Sequence, residues 1–265
     1  MNKIYLLPIL LLILTSCEKV IEIDLNDSNS KYVIEAGIIA DSNYASVRIT
    51  STKNFDENNT FTPTLNALVT IQDNNGVTDT LTQQSNGEYL STRIRGEQNK
   101  TYTLTVRIGG ETFTSTSTVP VVVPLQSIKL DSISGFGGPG RRSQYAVIPE
   151  FTDPKGIQNN YRFVFTVNNK TSDRILIQND NFNDGLKNAR PLNIGNQQIV
   201  KKDTLRIEMQ CVDTGNFDYF QSLSQLTGNG PQASATPVNP VTNIKGGALG
   251  YFNAHTSQTI TLVVK

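Results

Sequence analysis

Tyr102-Thr103-Leu104-Thr105-Val106 runs into Gly109-Gly110 and then Thr112-Phe113-Thr114, and this stretch decides the fold. Apolar and polar residues alternate, so successive side chains fall on opposite faces and only one face is apolar. That is a strand half-buried in a sheet. Two glycines between two such runs make the linker of a two-residue β-hairpin. The expectation is an all-β chain.

The pattern continues on both sides. Tyr32-Val33-Ile34 begins a run through Ile39, and Ala45 to Thr50 alternates Val47 and Ile49 with polar residues. Leu68-Val69-Thr70-Ile71 stops at Asp73-Asn74-Asn75-Gly76, and Thr80-Leu81 leads through Asn86-Gly87 to Tyr89-Leu90. Both interruptions are turn chemistry: Asn and Asp cap their own backbone, and Gly accepts positive φ. Short strands with turns at this spacing predict a β-sandwich over residues 31–120. The piece Leu68 to Val119 resembles the immunoglobulin-like modules of bacterial surface proteins, a likeness that implies little about function.

Val119-Pro120-Val121-Val122-Val123-Pro124 marks a domain boundary, its two prolines favouring an extended, semi-rigid connector. A second sandwich-like β domain is expected over residues 121–265. Its strands are Leu125 to Leu130, Ala146 to Phe151, Tyr161 to Val167, Ile175 to Ile177, Thr204 to Val212 and Thr259 to Val264. Tyr161, Phe163 and Phe165 share one strand face and read as core. Leu205, Ile207 and Met209 put Cys211 on an inward face, as a small buried hydrophobe. One short helix is expected over about Asn216 to Thr227, with Tyr219, Leu223 and Leu226 at i, i+4, i+7 as its buried stripe and Gly228 as its end. Gly246-Gly247 and Gly250 before Tyr251-Phe252 imply a kinked strand or a backbone approached closely by another segment.

The N-terminus reads as an address. Lys3 precedes an apolar run, Ile4 to Leu14, of about eleven residues broken by Pro8. A bilayer crossing takes roughly 20 helical residues, whereas a basic start, a short apolar core and small residues before a cut make a secretory signal over residues 1–16. Leu14-Thr15-Ser16-Cys17 resembles a bacterial lipoprotein signal, in which cleavage leaves a lipidated Cys17 as the new N-terminus. Several acyl chains then anchor stably where one does not. Lipid on Cys17 leaves Cys211 with no intramolecular disulfide partner. Residues 17–30, with Glu22, Asp24 and Asp27, read as an acidic tether.

Removing 16 of the 265 residues leaves 249, enough for one large or two ordinary domains. Only Lys3 is lost among charges, so 23 basic residues become 22 against 23 acidic ones. That balance, with no basic run, argues against nucleic acid as a partner.

A family resemblance enters through the second half. It is carried by Asp153-Pro154-Lys155-Gly156 with Asn160-Tyr161-Arg162-Phe163, then Asn181-Phe182-Asn183-Asp184-Gly185, Asp203-Thr204-Leu205 and Phe217-Asp218-Tyr219-Phe220 with Ser222-Leu223. Asn239-Pro240 and Asn243-Ile244-Lys245-Gly246-Gly247-Ala248-Leu249-Gly250-Tyr251-Phe252 complete it. In this order the pieces resemble a family of Bacteroidota outer-membrane lipoproteins described as domain of unknown function 4249. Members are often found beside TonB-dependent outer-membrane receptors, so the resemblance implies a role in uptake or surface assembly. It carries no catalytic residues.

Candidate sites are few. Asp180-Asn181-Phe182-Asn183-Asp184-Gly185 places oxygens at positions one and five of a calcium-type loop and glycine at six. An EF-hand also needs an oxygen at three and a glutamate at twelve, where Phe182 and Pro191 stand. An irregular Ca²⁺ site through Asp180 and Asp184 remains, beside the simpler reading as a turn. Gly135-Phe136-Gly137-Gly138-Pro139-Gly140-Arg141-Arg142 offers Phe136, Arg141 and Arg142 as a ligand or partner contact, since paired arginines grip carboxylates. His255, the one histidine, reads as a loop residue between strand runs: no Gly-x-Ser-x-Gly elbow accompanies it, and one histidine does not make the usual zinc sets.

The expectation is therefore a non-enzymatic, cofactor-free lipoprotein anchored in the outer membrane by its N-terminal lipid, binding a ligand or partner for a TonB-dependent β-barrel receptor. A surface structural or adhesive module is the alternative. A glycan hydrolase with two unmarked carboxylates ranks below both.

Overall fold

The computed structural model describes residues 30–53, 63–84, 86–91, 93–133, 144–195, 197–227 and 239–265. The leader, Cys17, Phe136, Arg141 and Arg142 lie outside the described residues. The strands below all belong to one compact unit.

Eight strands come first: β1 (Tyr32–Ile39), β2 (Ala45–Ser51), β3 (Leu68–Asp73), β4 (Thr78–Thr80), β5 (Thr82–Gln83), β6 (Glu88–Ser91), β7 (Thr101–Ile108) and β8 (Glu111–Thr118). The opening hairpin is as expected: β7 and β8 pair from Thr101–Thr118 to Ile108–Glu111, closed by the two glycines. Gly109 and Gly110 have φ of 59° and 83°, the double positive φ that turns of type I′ demand. Tyr102, Leu104 and Val106 face inward along β7, and Phe113 does so on β8. The Tyr102 hydroxyl donates to the Arg95 carbonyl at 2.7 Å, the kind of tie that fixes a corner in Greek-key sandwiches.

The remaining elements are β9 (Ser127–Ile133), β10 (Gln144–Glu150), β11 (Asn160–Val167), β12 (Lys170–Thr171), β13 (Leu176–Asn179), β14 (Thr204–Cys211), helix α1 (Thr214–Leu226), β15 (Ile244–Lys245), β16 (Leu249–His255) and β17 (Gln258–Val263). Among the described residues the fold is all-β with one short helix.

Two of these late strands return to the first sandwich. One of its sheets runs β16-β1-β2-β6-β5 and the other β15-β8-β7-β3-β4. They share one core, to which Ile244, Ala248, Phe252 and Ala254 contribute beside Ile34, Val47, Ile71 and Leu104. Residues 31–120 therefore hold only part of that sandwich. β1 and β16 pair in parallel over seven residue pairs, Val33–Leu249 to Ile39–His255. Gly250 makes this possible: its φ is 100°, and a Cβ there would fall 2.0 Å from the Ile34 carbonyl oxygen. The glycine-rich stretch is thus a strand closely approached by another backbone.

A second core lies between the β10-β9 pair and the sheet β12-β11-β14-β17, with β13 also on β11. Tyr161, Phe163 and Phe165 are buried in it, as expected, with Leu205, Ile207, Met209 and Cys211. The Phe151 and Tyr161 rings pack in a tilted arrangement with centroids 4.6 Å apart. The proline-rich connector is buttressed: Val119 is buried in the first core and Val123 in the second. Gln258 donates to the Val123 carbonyl at 2.7 Å and accepts from the Leu125 N–H at 3.0 Å.

Helix α1 starts two residues before the expected Asn216. Asp213 is its N-cap, accepting from the Asn216 N–H at 2.9 Å through Oδ1. Asp213 Oδ2 accepts from the Ser117 hydroxyl and the Thr118 N–H of β8. The buried face is Asn216, Phe217, Tyr219, Phe220 and Ser224, while Leu223 and Leu226 are half-buried. The expected stripe is thereby rotated, because the helix packs against polar ties to β8 as well as against aromatics.

Candidate functional site

The period of two that buries Ile34, Ala36, Val47, Phe252 and Ala254 points their neighbours the other way. Glu35 and Gly37 of β1, Ser46 and Arg48 of β2, Glu88 of β6, and Tyr251, Asn253 and His255 of β16 occupy the opposite face of the same sheet. The register aligns them: Glu35 opposes Arg48 and Tyr251, Gly37 opposes Ser46 and Asn253, and Arg48 opposes Glu88. These residues, with the Ala36 backbone and Arg162 from β11, line a cleft of about 240 Å³.

Arg162 is the distinctive wall. Its guanidinium stands 4.3 Å from the centre of the Phe220 ring of α1, a cation–π contact. Phe220, Tyr219 and Tyr251 form an aromatic trio with centroids 4.8 to 5.2 Å apart. Arg162 Nη1 donates to Gln210 Oε1 at 2.8 Å, and Gln210 Nε2 donates to Glu208 Oε1 at 2.8 Å. No carboxylate lies within ion-pair distance of Arg162 among the described residues. Burial lowers its pKa, with nearby Tyr251 and Glu208 opposing that effect. Arg48, by contrast, is committed to Glu88 at 2.8 Å.

Two further polar groups look into the cleft. Asn253 is buried and its Oδ1 has no hydrogen-bond partner. His255 is a strand residue, not the expected loop residue, and is buried on β16 opposite Ile39. Its Nδ1–H donates to the Asn253 carbonyl at 3.1 Å. Burial, the largest cause, holds the imidazole pKa below its ordinary 6.5. The cleft therefore offers one cation outside any ion pair, the carboxylates of Glu35 and of the Arg48-bound Glu88, a neutral imidazole and an aromatic wall.

The expected Asp180–Asp184 pair is found together with a third acid. Asp153 on the loop after β10 joins them, and the three offer carboxylate oxygens within 4.8 Å of one another. Asp153 and Asp180 are buried and Asp184 is exposed. Burial raises the Asp153 pKa, and the Asp180 and Asp184 charges add to the rise. The Tyr161 hydroxyl donates to Asp153 Oδ1.

Phe136, Arg141 and Arg142 fall outside the described residues. The cleft residues carried no motif: alternation marks them as outward but does not say what covers them. Arg162 stood in the signature Asn160-Tyr161-Arg162-Phe163, where a charge amid three residues of a core strand was the available signal.

No curated protein matches the chain. The family model described as Domain of unknown function (DUF4249) matches residues 18–261. The chain belongs to that family.

Proposed function

We propose that this member of the family is a non-enzymatic binding protein, lipidated on Cys17 and anchored in the outer membrane of a bacterium of the Bacteroidota. In this reading it presents a small ligand to a TonB-dependent receptor. The lipoprotein-like leader supports the anchor. The observation that carries ligand binding is Arg162: a half-buried guanidinium stacked on Phe220, held by a neutral amide, open to a cleft and paired with no carboxylate among the described residues. A charge removed from water without a counter-charge is costly, and a carboxylate entering the cleft would supply one. At about 240 Å³ the cleft is below the usual size of drug-like sites. It suits one sugar ring or one acidic side chain, with the aromatic trio as a flank.

Calorimetric titration with glucuronate, against glucose as the uncharged control, tests the reading. Glucuronate should bind, glucose should bind at least ~30-fold more weakly, and Arg162→Met should erase the difference, since truncating one partner of a buried charge pair costs about 2–5 kcal/mol. Equal affinity for acid and neutral sugar, or unchanged binding by Arg162→Met, would remove the basis of the proposal. The transport role is tested separately, by gentle detergent extraction: co-purification with a large β-barrel is expected, and a lone monomer would count against it.

A further inference from the structure

We infer that Asp153, Asp180 and Asp184 form a Ca²⁺ site that clamps the loop after β10 to the loop after β13. The inference is independent of the cleft and of any ligand bound there.

Each of the three carboxylates already spends one oxygen on a protein donor. Asp153 Oδ1 accepts from the Tyr161 hydroxyl, Asp180 Oδ2 from the Asn159 N–H at 2.8 Å, and Asp184 Oδ1 from the Gly156 N–H at 2.6 Å. These bonds fix the three side chains and leave each a second oxygen. For Asp153, 1% exposed, that oxygen is buried and accepts no well-formed hydrogen bond, the Gly185 N–H being the backbone donor that acts on this carboxylate. A carboxylate oxygen sealed from water beside two other carboxylates, without a well-formed bond, points to a missing positive partner. Asn183, on the loop between Asp180 and Asp184 and 7% exposed, adds a second buried oxygen, Oδ1, that accepts no hydrogen bond. No lysine or arginine makes an ion pair with the three acids among the described residues. Arg190 feels the charges of Asp153 and Asp180; its Nη2 donates to the Asn179 carbonyl, and its Nε is a buried donor with no partner.

The donor set selects the ion. It is all oxygen, which suits hard cations and not zinc or copper. Its carboxylates come from two loops, and Ca²⁺ accepts irregular coordination that Mg²⁺ does not. The clamp would sit beside Tyr161 and Phe151, so it would brace the edge of the second core.

The test uses the purified chain stripped with EDTA. Titration with CaCl₂ should give binding at about 10⁻⁵–10⁻³ M, with MgCl₂ at least ~10-fold weaker, and a rise in Tm of at least ~2 °C at saturating Ca²⁺. Asp184→Ala removes an exposed ligand and should weaken Ca²⁺ at least ~10-fold. The chain has no tryptophan, so Tb³⁺ emission sensitised through tyrosine should appear on binding and fall in Tyr161→Phe. No heat and no Tb³⁺ emission at several times 10⁻³ M, or equal Ca²⁺ affinity in Asp184→Ala, would overturn the site.

Discussion

Gly250→Ala should loosen β16 from β1, and its cost can be divided into parts. At Gly250 an added Cβ meets the Ile34 carbonyl oxygen at 2.0 Å and its carbon at 2.8 Å. Both are backbone atoms, so no rotamer change relieves the contact, and the parallel strands must separate. A non-glycine residue held at φ of 100° costs about 1–3 kcal/mol before any clash. Gly247 isolates that strain, because its φ is 96° and nothing lies within 4 Å of its added Cβ. Gly37 on β1 isolates the methyl group alone, with an ordinary φ and the nearest atom, the Asn253 carbonyl oxygen, at 3.6 Å. The expected order follows. Gly37→Ala stays within ~0.5 kcal/mol of the parent or gains slightly, Gly247→Ala loses ~1–3 kcal/mol, and Gly250→Ala loses more than ~3 kcal/mol. Urea unfolding reads this out. With m of about 3 kcal/mol/M the last midpoint falls by ~1 M or more at unchanged m. A Gly250→Ala midpoint equal to that of Gly247→Ala would show that the close strand approach contributes nothing.

Three further outcomes are expected. Folding holds His255 below its ordinary pKa by burial, with Arg162 and Glu208 acting on the ring and Glu35, Arg48, Glu88 and Tyr251 around the same cleft. The unfolded ring takes a proton near pH 6.5, so the unfolded state binds more protons on acidification. Stability is then full above about pH 6.5 and declines as pH falls toward the folded pKa; His255→Gln should flatten that decline in pH-dependent melts, and parallel curves would refute the assignment. Asp213→Ala removes the α1 cap and its two bonds to β8, which should cost ~1–2 kcal/mol in urea midpoints, whereas Asp218→Ala on the exposed side should cost under ~0.5 kcal/mol. The Cys211 thiol is buried and its pKa pushed up by burial, so native protein should react with a thiol reagent only as fast as it opens, and stoichiometric reaction within the mixing time would contradict that burial.

What the sequence made legible was local. The Gly109-Gly110 hairpin, the inward face of Tyr161, Phe163 and Phe165, and the setting of Cys211 all follow from spacing over a few residues. The helix was visible, but its buried face turned on Asp213 and Asn216 bonding to Ser117, a contact nearly a hundred residues away. β16 was obscured by its glycines, which lower strand propensity in isolation and make sense only beside Ile34. The cleft was hidden for the same reason: Asn253 and His255 sit at outward positions that another sheet and a helix then cover. Asp153 stood out only within the family signature, because nothing in its own stretch announces Asp180 or Asp184.

Val33 is paired with Leu249, and this has a consequence for how the molecule comes into being. The chain emerges from its N-terminus, yet the amino-terminal sandwich lacks β15 and β16 until the strands of the second core have appeared. Until then β1 presents a bare edge with open N–H and C=O groups, a template for unwanted pairing. Such long-range closure is slow, so sealing of the first sandwich waits on the pairing of β1 with β16.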